Sequence, residues 1–139
     1  MENVQAQFQM LDNYVKECTL KCSNKIPIGK KIDINGKVEF RIINISEAED
    51  NLIGEIELTN DLDLTTEQGQ KAQIRIIMGG LFKYTNKNEK EEFEKMLKYN
   101  GAPTLYQFMR SYIHTNTSLG GMPPIIIPMI NFVEFFKEQ

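Results

Sequence analysis

The sequence predicts an α+β domain: a four-stranded antiparallel meander sheet, with a long helix and a short C-terminal helix packed on one side. Three observations carry this. In the first half apolar residues recur with period two, the signature of strands that bury one face. In the second half they recur at helical spacing. The period changes once, so strands and helices are segregated along the chain. With 139 residues, 41% hydrophobic and 25% charged, residues 1–139 suit a single domain of ordinary composition.

The first strand is expected over Val4 to Cys22, where Val4, Ala6, Phe8, Met10, Tyr14, Cys18, Leu20 and Cys22 fall on even positions. Asp12 and Lys16 interrupt that face and predict a bulge or bend. The second strand is expected over Lys37 to Ile45. Val38, Phe40 and Ile42 share a face there, while Ile43 and Ile45 load the other. The third, Leu52 to Leu64, alternates most cleanly. Leu52, Ile56, Leu58, Leu62 and Leu64 oppose a wet, acidic face of Glu55, Glu57, Thr59, Asp61 and Asp63. The fourth, Gln70 to Tyr84, aligns Ala72, Ile74, Ile76, Met78 and Phe82. "DING", "SEAEDN" and "TTEQGQ" read as the turns between runs. Gly79 and Gly80 mark a bulge or a close backbone contact, with no phosphate-loop pattern around them.

Helical spacing begins in "NEKEEFEKMLKYNG", with Phe93, Met96 and Leu97 inside a charged frame and Gly101 as its stop. A break is expected at Ala102–Pro103. Beyond it Leu105, Phe108, Met109, Tyr112 and Ile113 form an apolar stripe, ended by "SLGG". "MPPIIIPMI" must be extended, because proline lacks the amide donor and disfavours helix before it. Asn131 is the N-cap candidate of a terminal helix carrying Phe132, Phe135 and Phe136.

The formal net charge of −3 argues against nucleic acid as the main partner. Met122 to Ile130, the longest apolar run, is far short of the roughly 20 residues a bilayer needs. "MENVQAQ" lacks a secretory pattern, so a cytoplasmic protein is expected. Cys18 and Cys22, four residues apart on a strand, lie about 13 Å from each other and are expected as buried reduced thiols. His114 is the sole histidine, and no nucleophile and base stand at a recognisable spacing. No enzyme, metal site or cofactor is therefore expected. The unusual feature is apolar surface that a small domain must hide or use: the Ile125–Ile127 run and seven methionines, soft residues suited to adaptable contacts.

The order of elements and several motifs resemble SecB, the bacterial protein-export chaperone family, over nearly the whole chain. "FQMLDNYVKECTLK" resembles its first strand, and "GGLFKY" the end of its fourth. "PTLYQFMRSYIHTNTSLGGMPP" resembles its long helix and exit, and "PPIIIPMINFVEFF" its crossover and terminal helix. The resemblance implies an ATP-independent holdase that binds unfolded polypeptides in apolar grooves, for export or for antitoxin folding. The alternative is a module of this fold with one dedicated folded partner. A homotetramer, as a dimer of dimers, is implied, with Leu105, Phe108 and Tyr112 of the long helix in the interface. By position, the client groove would take Phe40, Ile42 and Phe82 from the sheet and Met122, Ile125, Ile127 and Met129 from the crossover. For the translocase motor SecA, the sequence departs from the family pattern. Arg75 stands near where an acidic residue is expected, and Gln139 follows the terminal helix without an acidic tail. Client holding is implied, and delivery to SecA is in doubt.

Overall fold

In a computed structural model residues 7–138 are described; Val4 and Ala6 of the expected first strand lie outside them. Four long strands form the sheet: β1 (Phe8–Cys22), β2 (Asp33–Ala48), β3 (Asn51–Thr65) and β4 (Lys71–Tyr84). All pairings are antiparallel, in the order β1-β4-β3-β2. Only β2, β3 and β4 follow the expected meander. β1 pairs with β4, so residues 23–32 carry the chain from one edge of the sheet to the other, with Ile26 buried on the way. The result is a Greek key.

The turns show why. Between Ala48 and Asn51 only Glu49 and Asp50 intervene, with Glu49 at φ 60°, a tight hairpin. The β3–β4 turn closes through Thr66 N–H to the Gln70 carbonyl, with Gly69 at φ 89°. "DING", in contrast, is not a turn. Asp33 to Gly36 pair with Thr65 to Leu62 and belong to β2. The turn-forming residue types yield to the partner strand beside them.

Bulges decide which face each residue takes. β1 slips register between Met10 and Asp12 and again between Val15 and Glu17, at the two places where polar residues interrupt the pattern. Between the slips the parity is inverted. Tyr14 pairs with Gly79 on the outer face, whereas Val15 pairs with Met78 on the core side. β2 slips between Ile42 and Asn44, so Ile45 returns to the core side opposite Gly54. The apparent loading of both faces of this strand is one face read across a bulge at Ile43.

A continuous helix follows in three parts: α1 (Lys90–Met96), a π turn (Leu97–Gly101) and α2 (Ala102–Leu119). The expected break at Pro103 does not occur. The π turn resets the hydrogen bonding just ahead of the proline, with Ala102 N–H reaching the Leu97 carbonyl five residues back. Thr104 Oγ1 donates to the Asn100 carbonyl at 2.8 Å nearby. Gly101 is in the ordinary right-handed helical region and is no stop. A Cβ there would come within 3.4 Å of Ile56 and Phe82, so it lets the helix press on the sheet. After Leu119 the chain leaves the helix, runs extended, and closes with α3 (Phe132–Lys137). The Asn131 side chain caps α3 by accepting from Glu134 N–H, as expected.

The core lies between the even-numbered face of β3 and β4 and the helical layer. Leu52, Ile56, Leu58, Ile76 and Phe82 meet Phe93, Leu97, Leu105, Met109 and Ile113, all fully or nearly fully buried. Glycines make the layers close. At Gly54 a Cβ would lie 2.8 Å from the Phe93 ring and 2.9 Å from Leu97. Gly79 and Gly80 serve opposite faces: the Tyr14 ring lies over Gly79 outside, while Leu105 sits over Gly80 inside. No bulge is needed there. Cys18 and Cys22 are exposed rather than buried.

Valine favours strands more than glycine does, so Gly54→Val tests the clearance alone. It is expected to lower stability by about 1–3 kcal/mol through overpacking against Phe93 and Leu97. Urea unfolding would read this; an unchanged midpoint would show that the helix is not seated on that glycine.

Candidate functional site

The segment from Met122 to Ile130 is extended yet belongs to no sheet, so its backbone polar groups need partners elsewhere. Prolines at 123, 124 and 128 remove three of the donors outright. α2 supplies partners for others. Met122 N–H donates to the Thr117 carbonyl at 3.0 Å, and Ile125 N–H to Thr117 Oγ1 at 2.9 Å. Arg110 Nε donates to the Ile127 carbonyl at 2.9 Å, and the Tyr106 hydroxyl to the Pro128 carbonyl at 2.6 Å. Residues 117, 110 and 106 lie on one flank of a helix, and the crossover runs back along it. Burial raises the Tyr106 hydroxyl above the ordinary tyrosine value although Arg110 works against this. It stays a donor to Pro128.

The pinned strap alternates. Ile125 and Ile127 point into the core and are 2% and 0% exposed, whereas Ile126 is 65% exposed. The isoleucine run is thus half core and half surface. Met122 is buried and Met129 is 67% exposed. Of the residues expected to line a groove, Phe82, Met122, Ile125 and Ile127 are core in this conformation and offer no surface. Phe82 stacks on Phe8 at 5.1 Å and packs beneath Gly101. Phe40, Ile42 and Met129 remain partly or largely open.

What leaves them open is the position of β2. It is an edge strand, and its core-facing row of Ile34, Val38, Phe40, Ile42 and Ile45 is only half covered. The strap and α3 overhang it without sealing it. Phe136 meets Phe40 edge-to-face at 5.0 Å and Tyr99 at 5.5 Å, with Lys98 Nζ 6.0 Å from its ring. Phe40, Arg41, Ile42, Lys98 and Phe136 line a hollow of ≈ 350 Å³. Next along β2, a smaller cavity of ≈ 160 Å³ opens beneath Pro128 and Ile130. Sequence reasoning did not place Phe136 and Ile130 beside β2. The aromatic cluster of α3 was visible, but its partner strand was not.

The residues expected at a subunit interface divide as well. Leu105 is buried in the core, Phe108 is exposed and Tyr112 partly so. Phe108, Tyr112 and the exposed Leu119 follow one another on the flank of α2 opposite the strap.

The outer face of the sheet is charged but not uniformly wet. Glu57 has a side chain only 7% exposed, between Lys16 Nζ at 2.9 Å and Arg41 Nη2 at 3.1 Å. Burial alone would raise its carboxyl, but the hydrogen bonds from Lys16 and Arg41 outweigh this and hold it below the usual range. The Tyr14 hydroxyl donates to Glu55 Oε2 at 2.6 Å and is pushed up to about 12, mainly by that bond. Arg75 bridges Glu17 and Asp61. Among the described residues no cluster of three or more His, Cys, Asp or Glu side chains is placed to hold a metal. No helix there is long and apolar enough to cross a membrane.

Comparison with known proteins points one way. The family model "SecB: Preprotein translocase subunit SecB" matches residues 1–139. The chain is 25% identical over 126 residues to the "Protein-export protein SecB" of Orientia tsutsugamushi strain Boryong, covering 90% of this chain and 78% of that one. It is 22% identical over 139 residues to that of Bradyrhizobium, covering 96% and 82%. Among solved structures, a Mycobacterium tuberculosis SecB-like chaperone in complex with a ChAD peptide from the HigA1 antitoxin superposes with TM-score 0.66 at 15% identity, covering 90% of this chain and 91% of that one. A Streptococcus agalactiae protein of unknown function gives TM-score 0.53 at 15% identity, covering 90% and 99%.

Two outcomes are expected of these contacts. Thr117→Val keeps the volume but strands the Ile125 amide, and should cost about 1–3 kcal/mol. Amide exchange at Ile125 and Ile127 should accelerate more than in β3; equal acceleration everywhere would mean that the strap is not held by this hydroxyl. Glu57 has a depressed carboxyl in the folded state, so its contribution is fully present above the unfolded glutamate value of about 4.3 and is lost as pH falls through the folded value. The stability difference between the parent and Glu57→Gln should therefore be widest near neutrality and close in acid. A pH-independent difference in urea midpoint would contradict this.

Proposed function

From the premise that the chain belongs to the SecB family, whose members are chaperones of protein export and not enzymes, we propose that it works as an ATP-independent holdase. It keeps unfolded polypeptides from aggregating by holding their extended apolar segments against β2. The observation that carries this reading is the half-covered row on β2. An edge strand offers unpaired backbone groups, and its core-facing side offers Phe40, Ile42 and the Phe136 hollow. Backbone pairing is blind to sequence, and apolar burial at about 25 cal/mol per Å² is non-directional. Together they favour many non-native segments over any folded surface. The client surface is Phe40 and Ile42, with Met129 and Ile126 on the far side of the strap. Met122, Ile125 and Ile127 anchor the strap in the core, and Phe82 is buried against Phe8.

Four copies are proposed to assemble as a dimer of dimers, because Phe108, Tyr112 and Leu119 and the uncovered Leu20 of β1 leave apolar area that a lone protomer exposes. Holding takes place in the cytoplasm. Clients include preproteins, and the antitoxin peptide on the Mycobacterium tuberculosis relative supports an antitoxin as another. Arg75, tied to Glu17 and Asp61, gives the outer face mixed charge where the family would dock SecA through acid. Holding rather than delivery is the activity proposed. The second reading, one dedicated folded partner, draws on the same surface and differs in its selectivity.

A chemically unfolded test protein diluted into buffer without nucleotide should aggregate less when this protein is present at near-stoichiometric tetramer. Phe40→Asp with Ile42→Asp should abolish the protection while light scattering still reports a tetramer. If the parent protein protects nothing, the dedicated-partner reading takes its place.

A further inference from the structure

The smaller cavity beside β2 contains something an apolar groove does not require. Asn60 stands on the core face of β3 and is 1% exposed, and its side chain lines this cavity. Its Oδ1 is buried with no hydrogen-bond partner among the described residues. The groups around it cannot help: Leu62 and Ile130 are apolar, and the Tyr106 hydroxyl already donates to Pro128. A buried acceptor left unmade destabilises a fold, so each one in a native structure has a reason.

β2 opens directly over it. Val38 is opposite Asn60 and Gly36 is opposite Leu62, so Gly36 is the diagonal neighbour of the asparagine. A Cβ at Gly36 would stand 3.5 Å from Asn60 Oδ1 and 2.9 Å from Leu62. Any side chain there would cover the carbonyl. The glycine thus leaves a notch in an edge strand, with Pro128 and Ile130 above and the Asn60 acceptor, itself closed to solvent, just behind its floor. Its ≈ 160 Å³ has room for a side chain, and the polar acceptor beside it suits a small hydroxyl residue. An extended segment paired along β2 would send alternate side chains into this layer.

We propose that the Gly36 notch is a polar subsite of the client surface, taking a serine or threonine whose hydroxyl donates to Asn60 Oδ1. The inference rests on the holdase reading and deepens it. The Phe40–Phe136 hollow, about 13 Å further along the strand, takes an apolar side chain of the same segment. Holding is then not purely apolar: segments that place a small hydroxyl residue and a large apolar residue an even number of positions apart are preferred.

The test uses a labelled, mostly apolar extended peptide in which each position in turn carries threonine or its isostere valine, with affinity read by fluorescence anisotropy. For the wild-type protein, threonine at one position should bind about tenfold more tightly than valine. Asn60→Leu should remove or reverse that preference while still binding the valine peptide. Gly36→Val should also erase it by filling the notch. Should either variant fail to fold, the other and the wild-type ratio still decide. If wild type binds the peptides but prefers threonine nowhere, the notch is met by solvent alone and this inference falls while the holdase reading stands. If no peptide binds, the holdase reading falls and takes the inference with it.

Discussion

An extended, proline-bound strap that has no partner strand is the constraint around which this molecule is arranged. Its backbone groups need partners, and the hydrogen bonds from Tyr106 and Arg110 and with Thr117 provide them along one flank of α2. That arrangement fixes where the strap can lie. It seats Ile125 and Ile127 in the core and commits Ile126 to the surface. It also closes the hydrophobic layer over β3 while stopping short of sealing β2. A helix in the same place would bury its side chains in a broader stripe. A strand would have paired β2 and removed the open edge. Prolines exclude both, and the half-covered row on β2 follows.

The second determinant is the approach of the helical layer to the sheet. Gly54, Gly80 and Gly101 remove side chains where Phe93, Leu97, Leu105 and Phe82 cross. With the layers that close, one continuous helix can cover β3 and β4 and reach the strap. The cost appears at the flanks. β1 keeps Leu20, Cys18 and Cys22 exposed at one edge, and β2 keeps Phe40 and Ile42 partly open at the other. The two open flanks differ in kind. The β2 side is concave, roofed by aromatic residues and notched at Gly36. The β1 side continues onto the Phe108, Tyr112 and Leu119 flank of α2. Holding of clients is proposed for the first and self-assembly for the second, so the activities need not compete for one surface.

Several readings of the sequence came close and then missed because local chemistry was overridden. Pro103 reads as a helix end from local chemistry, yet the helix passes through it because a π turn shifts the bonding just before. Asp33 to Gly36 reads as a turn, yet β3 lies beside it and supplies the pairing. Tyr14 reads as core by parity, yet a one-residue slip turns it outward to Glu55. At Pro103 the override comes from the adjoining π turn, and at Asp33 to Gly36 and at Tyr14 it comes from a partner strand distant in sequence. The groove residues show the same pattern. Phe40 and Ile42 were legible as an apolar row, but Phe136 and Ile130 join them only once α3 folds back over β2.

By itself the sequence determined the element types, the one buried face of β3 and β4, the extended strap, the Asn131 cap and the family. These depend on side-chain period, on proline and on capping chemistry, all of which act within a few residues. Tertiary structure alone decided that β1 joins β4, that bulges set the facing of Tyr14 and Ile45, and that Ile126 is surface while its two neighbours are core. It alone left Asn60 Oδ1 without a hydrogen-bond partner among the described residues, beside Gly36. Those outcomes depend on which segment lies beside which, and that is settled by the packing of the whole chain, because the free energy of a buried contact belongs to both of its partners.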